Sequence, residues 1–273
     1  MGSAAASGKR ENARDHGFSR LRDFWRTLTY SALMAGQGAL PLGWHISDPD
    51  ISERHVEGTL VLNRIGYFAL AFLAVAISLV SMRFLTFDPG VLAEELRANL
   101  LGNPLLFFLH TTVSPFALLL GVFQFLPATR RTAWHRWSGR LYVLLCLLGA
   151  ASGLGIAFTT TMGPLVGSGF AILAVLWFAA TYNAYRFARN RDFARHRRWM
   201  IRSYALTAAA ITLRLILPIS GLAGLSFAQG YLIAAWGCWT INIVIAELII
   251  RARPNPGALP DRVASARKDT LAA

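Results

Sequence analysis

Hydrophobic positions in this chain come as long unbroken runs with short polar breaks between them. Six runs approach or exceed the roughly 20 residues that carry a helix across a bilayer. They cover about 64–83, 104–126, 138–161, 163–186, 199–222 and 227–250. Each is rich in Leu, Ala, Val, Ile and Phe, and each ends at charge, Pro or Gly. The pattern predicts an all-α fold, a polytopic transmembrane bundle of six spanning helices. A further stretch, 27–46 (TLTYSALMAGQGALPLGWHI), lacks Asp, Glu, Lys and Arg but holds three glycines and Pro41. Spanning would carry the basic 9–26 stretch across the membrane. It is therefore predicted as an interfacial or re-entrant element anchored by Trp25 and Trp44. The organisation that follows is a disordered basic tail over 1–23, the interfacial or re-entrant segment over 24–63, the six-helix domain over 64–250 and a disordered cytoplasmic tail over 251–273.

Charge orients the bundle. The stretch up to Arg64 carries eight Lys or Arg, and the second-to-third connection carries Arg130, Arg131, Arg136 and Arg140. Arg186, Arg189, Arg191, Arg195, Arg197 and Arg198 follow the fourth run, with Arg202 just inside the fifth. Arg251, Arg253, Arg262, Arg267 and Lys268 close the chain, whereas the other face holds only Arg83 and Arg97 beside Asp88, Glu94 and Glu95. Basic residues mark the cytoplasmic side, so both termini are predicted cytoplasmic in a bacterial inner membrane. The net charge of +13 then reads as attraction to anionic lipid rather than to nucleic acid, because the basic residues sit where apolar runs end. A composition of 55% hydrophobic and 15% charged residues, with mean hydropathy +0.44, excludes an ordinary soluble domain. Cys146 and Cys238 lie in apolar runs and offer neither a disulfide framework nor metal-type spacing. Hydrolase, P-loop and zincin signatures are absent.

Polar residues inside the runs are the candidate chemistry. At about 100° per residue, His196, Ser203, Thr207 and Arg214 share one face of the fifth helix. His110, Ser114, Ala117, Gly121 and Gln124 share a face of the second. His135, Gly139, Tyr142, Cys146, Gly149 and Gly153 share one of the third, whose glycines admit either a close helix or a flat ligand. Arg214 lies too deep to snorkel, so its insertion cost of a few kcal/mol calls for partners within the bundle. Depth sorts these groups into two zones. Gln124, His135, His196 and Arg202 lie near the cytoplasmic side, and His110 with Arg214 near the outer one. His110 and His135 therefore cannot bind one iron, whereas His135 and His196 can. Each group also has a plain reading: glycines as helix packing, His135 and His196 as headgroup contacts, and Arg214 and His110 as structural hydrogen bonders. Asn242 and Glu247 of the last helix are candidate partners for an arginine.

The motifs HRWSGRLYV (135–143) and HRRWMIRSYALTAAAITLRLILP (196–218), with His110 fourteen residues upstream of Gln124, resemble a large bacterial family of multi-pass membrane proteins classed as a domain of unknown function, DUF2306. The resemblance spans about 64 to 250 and implies membrane residence without a reaction. A more distant likeness is to cytochrome b561-type proteins, which hold haem b between paired histidines. Those use four histidines for two haems, whereas three lie near the spans here, so at most one bis-histidine haem is implied. In that reading His135 and His196 would be axial ligands to the haem iron. Arg136, Arg140 and Arg202 would meet the propionates, with Tyr142 and the glycine face beside the porphyrin. Electron transfer with a redox partner or quinone would follow.

Two readings without haem stand beside it. One is a carrier or sensor of a small anionic or lipidic molecule, with Arg214, His110, Ser114 and Thr207 as an outer cup and Arg202 with His196 as an inner one. The other is an accessory membrane subunit whose only certain partners are lipids.

Overall fold

A computed structural model describes residues 49–252 apart from 87, 89, 91, 93, 127 and 128, with side chains described from Ile65 onward. The 1–23 tail, the 27–46 stretch and nearly all of 251–273 lie outside the described residues. Within the described residues the chain is helical: α1 (Pro49–Ser81, running on into a 3-10 turn at Met82–Thr86), α2 (Glu94–Gly102), α3 (Pro104–Phe123), α4 (Ala133–Thr159), α5 (Pro164–Arg189), α6 (Phe193–Thr207), α7 (Ala209–Leu222) and α8 (Phe227–Arg251). No strand occurs among them.

Six stretches are long and apolar enough to cross a membrane: Ile65–Thr86, α3, α4, α5, Phe193–Leu222 and α8. They match the six apolar runs, with different ends. Helix α4 starts five residues before its run, α5 ends three after its own, and α6 starts six before. The extra turns carry the arginines, and local chemistry starts them. Thr132 caps α4 by accepting from the His135 amide, and Asp192 caps α6 by accepting from the Arg195 amide. Pro104 and Pro164 open α3 and α5, where the missing N–H costs nothing. Helix α1 begins at Pro49, so residues 49–63 of the predicted interfacial segment belong to the first long helix.

Burial is inverted relative to a water-soluble bundle. Phe68, Phe72 and Phe158 are about 70% exposed or more, and such side chains face outward along every span. The interior is small: Ala74, Ala117, Ala180, Ala184, Ala234 and Ala235 are all buried. Between helices already in lipid, apolar burial supplies little drive. Association rests on close backbone approach and on interhelical hydrogen bonds. Helices α3 to α6 pack in chain order, α1 lies on α3, and α7 touches α1. Gly121 of α3 gives the clearest close approach, since a Cβ there would enter the ring of Tyr204. This is a membrane protein built as a helical bundle. One end, where α3–α4 and α5–α6 connect, is ringed by arginine and is called the basic end below.

The fifth span departs from the expectation of one helix. It is interrupted at Ala208 (φ −71°, ψ −5°), although the window 200–217 contains neither Pro nor Gly. Asn242 of α8 holds the break from both sides. Its Nδ2 donates to the Ala205 carbonyl (3.0 Å), and its Oδ1 accepts from Thr212 (2.8 Å).

Candidate functional site

The polar residues form three groups stacked along the bundle. In the middle lies a knot of side chains from α4, α5 and α6. Tyr142 Oη contacts Ser203 Oγ (2.9 Å) and Thr207 Oγ1 (3.0 Å), Thr181 Oγ1 contacts Ser203 Oγ (2.7 Å), and Trp177 Nε1–H donates to Thr207 Oγ1 (2.9 Å). Thr207 in turn donates to the Ser203 carbonyl (2.9 Å). One assignment of protons then satisfies every group: Thr181 to Ser203, Ser203 to Tyr142, and Tyr142 to Thr207. All five residues are buried, and none is charged at neutral pH. The knot is a dry structural fastener.

Toward the end opposite the arginine ring, His110 Nδ1–H donates to the Gly149 carbonyl (2.8 Å), and Ser114 Oγ lies 3.5 Å from Nε2. Arg214 donates to the Ala210 carbonyl (3.0 Å) and to Ser81 Oγ (2.9 Å). It lies within electrostatic reach of His110, Arg83 and Tyr231. The structure thus brings His110, Ser114 and Arg214 into one neighbourhood, which their similar depth in the sequence allows. Thr207 is separated from them and belongs to the knot. Arg214 spends its hydrogen bonds on its own helix and on α1, which makes it a staple between α7 and α1.

The basic end is different in kind. His196 Nδ1–H donates to the Ala184 carbonyl (2.8 Å), which fixes the ring. Buried His135 Nδ1 has no hydrogen-bond partner among the described residues. His135 sits within electrostatic reach of His196 and Arg130, and Arg130 within reach of Arg197. Partial burial, then the charge of Arg197, pulls the Arg130 guanidinium below its ordinary value; it remains a cation. Among residues whose side chains are described, the acids at this end are committed elsewhere. Asp192 pairs with Arg195 (3.3 Å), and Glu247 meets Arg202 through two contacts of 2.6 and 3.0 Å. Gln124 Nε2 donates to Ser138 Oγ (2.9 Å) and lies against Gly139.

The same geometry tests the residues assigned to a porphyrin. The glycine face of α4 is filled by this chain's own side chains: Gln124 stands 3.0 Å from a Cβ built at Gly139, Trp177 2.9 Å from one at Gly149, and His110 3.0 Å from one at Gly153. Tyr142 is locked in the knot, and Arg202 is forked on Glu247 and stacked over Trp199 at 4.8 Å. Arg136 and Arg140 are exposed on the rim, Arg140 stacked over Trp137 at 5.0 Å. His135 and His196 lie within electrostatic reach of each other. No cluster of three or more His, Cys, Asp or Glu suited to a metal ion occurs among the described residues.

Sequence reasoning found Tyr142, Ser203 and Thr207 but missed Thr181 and Trp177, which lie one turn apart on α5 and complete the knot. It used Arg130 and Arg197 to orient the chain without placing them in a site. Arg130 comes within reach of His135 and Arg197 within reach of Arg130 through the tertiary fold, which no periodicity encodes.

No curated protein and no solved structure matches the chain, and nothing in these comparisons supports the likeness to cytochrome b561-type proteins. The family described as "Predicted membrane protein (DUF2306)" matches residues 107–250, more than half of the chain and the part that holds the knot and both flanking groups, so the protein belongs to that family.

Proposed function

We propose that the protein binds a small oxyanion, a carboxylate or phosphate, at the basic end of its bundle, and that this end faces the cytosol as the arginine distribution requires. The observation that carries the reading is the unpartnered, buried Nδ1 of His135 beside His196, Arg130 and Arg197. A buried polar atom without a partner costs about 1–3 kcal/mol. Like charges gathered without a carboxylate add to that cost. A bound oxyanion removes both penalties: it accepts from imidazole and guanidinium and neutralises the cluster. His196 suits the same role in its doubly protonated form, whose Nε2–H can donate to a ligand while Nδ1–H holds the Ala184 carbonyl. The knot occupies the bundle between this group and the His110–Arg214 group, so the proposed site, the mouth, lies at one end. That supports a sensor or receptor better than a carrier.

The test uses full-length protein in mild detergent at constant ionic strength. Inorganic phosphate and succinate are titrated against chloride while thermal unfolding is followed. The expected result is a rise in Tm with either oxyanion that disappears in His135→Phe and in Arg197→Gln but survives in Arg186→Gln. A rise of equal size in all four proteins would refute the site.

A second reading rests on one observation, the His196 Nδ1–H bond to Ala184. An imidazole that ligates a metal characteristically donates its other nitrogen to a carbonyl. Under this reading His196 and His135 would hold haem b, with Arg136 and Arg140 near the propionates, and the group would supply one-electron chemistry. A Soret band in protein produced with ample haem, lost in His196→Ala, would favour it over the anion site. A colourless preparation ends it.

A further inference from the structure

Away from the mouth, a groove of about 360 Å³ runs between α4 and α5 and is lined by Arg140, Val143, Leu144, Leu147, Tyr182 and Tyr185. It opens outward, toward the surface on which the spans present their apolar side chains; Leu144 and Tyr182 are each about half exposed. Arg140 lies at the basic end of α4, and its guanidinium is held 5.0 Å over the Trp137 ring. From Arg140 the groove descends two turns of α4, roughly 10 Å at 1.5 Å per residue, over Val143, Leu144 and Leu147. Helix α5 runs antiparallel, so Tyr185 stands near the Arg140 level and Tyr182 one turn deeper.

We infer that this groove binds one acidic phospholipid, its phosphate on Arg140 and the start of an acyl chain along Val143, Leu144 and Leu147. Charge and shape select that occupant. The lining holds one cation and no acid, and the cation stands at headgroup level on the arginine-rich end. Below it the walls are aliphatic apart from two phenol edges. A free phosphate would have no use for the apolar floor. A zwitterionic lipid brings the same phosphate with its own cation beside it, and so neutralises the Arg140 charge less fully than an acidic one. The volume falls in the lower part of the range of small-molecule sites, enough for a headgroup and part of one chain.

The experiment is native mass spectrometry of the full chain released from nanodiscs of equal dioleoylphosphatidylglycerol and dioleoylphosphatidylcholine. The expected result is one retained lipid with the acidic form favoured about fivefold, as one basic residue at a membrane surface provides. Arg140→Gln brings the ratio to about one, whereas Arg136→Gln, one turn earlier on the same rim, leaves it unchanged. Leu144→Trp fills the floor and reduces retention of both lipids. His135→Phe leaves the ratio intact, which separates this site from the oxyanion mouth. Equal loss of preference in Arg136→Gln and Arg140→Gln would reduce the effect to general surface charge and overturn the site. A lipid-free dimer would also overturn it, by giving the face to a second copy of the chain.

Discussion

The knot and the basic mouth are both built from polar groups carried on α4 and α6, yet they obey opposite rules. In the knot, Tyr142, Trp177, Thr181, Ser203 and Thr207 are hydrogen-bonded so that every side-chain donor has an acceptor. In the mouth, arginines and imidazoles crowd together, and one buried nitrogen has no partner. A bundle in lipid cannot rely on apolar burial between its helices. Its internal hydrogen bonds and close contacts hold it together, and an unsatisfied group is a cost the bundle has no structural reason to carry. On the proposed reading stability belongs to the knot and ligand binding to the mouth. It makes a sharp demand: mutations in the first must hurt folding, and mutations in the second must not.

The largest effect is expected at Gly121, beneath the knot. A Cβ there would enter the Tyr204 ring and stand 2.9 Å from Tyr142. Neither ring can retreat without breaking the packing of α3 on α4 and α6. Gly121→Val should destabilise by about 3 kcal/mol through overpacking, measured as a loss of thermal stability in detergent. A change within about 0.5 kcal/mol would mean that the interior is looser than these contacts indicate.

Next comes Arg202→Leu. It leaves the Glu247 carboxylate, 34% exposed, without the guanidinium that forks it. Breaking a fully buried pair costs about 3–5 kcal/mol; partial exposure at this site reduces the expectation to about 2 kcal/mol. Removing both partners, Arg202→Leu with Glu247→Leu, should restore most of that loss. If the double variant is as unstable as the single one, Arg202 acts through its stacking on Trp199 rather than through its charge.

Tyr142→Phe tests the knot directly and should cost about 1 kcal/mol, the net worth of the hydroxyl that links Ser203 to Thr207. The substitution keeps the ring and its packing, so the loss reports hydrogen bonding alone. If stability is unchanged, Ser203 has found another acceptor and the proton assignment above fails.

How far the sequence reveals all this follows from the range of each signal. Spans are written in composition, and composition survives any arrangement of neighbours, so six apolar runs became six apolar helices. Helix faces are nearly as legible: the His110–Ser114–Gly121–Gln124 stripe lies against α4, and the Tyr142 face of α4 lies inside. The glycine face was read as open either to a helix or to a flat ligand. Only coordinates show that His110, Trp177 and Gln124 fill it, because the sequence does not say which neighbour's side chain arrives. The break at Ala208 was illegible for a related reason. Its cause lies 34 residues on, where Asn242 takes the Ala205 carbonyl, and nothing local announces it. Glu247 was legible as a partner for an arginine, and Arg202 is that arginine; which arginine it takes carries no spacing to detect, so Arg202 was also read toward a ligand.

The smallest stability effect, and the one on which the comparison turns, is expected for His135→Phe. An aromatic ring is kept while the unpartnered nitrogen beside His196 and Arg130 is removed. Replacing an unsatisfied buried polar group with an apolar one of similar shape is nearly neutral or slightly favourable. Stability without added anion should therefore stay within about 0.5 kcal/mol of the parent or rise slightly, while the rise in Tm on adding phosphate or succinate is lost. If His135→Phe instead unfolds the protein as Gly121→Val should, then His135 belongs to the scaffold. The mouth would then be a second fastener, satisfied by water, and the contrast between the two regions would collapse.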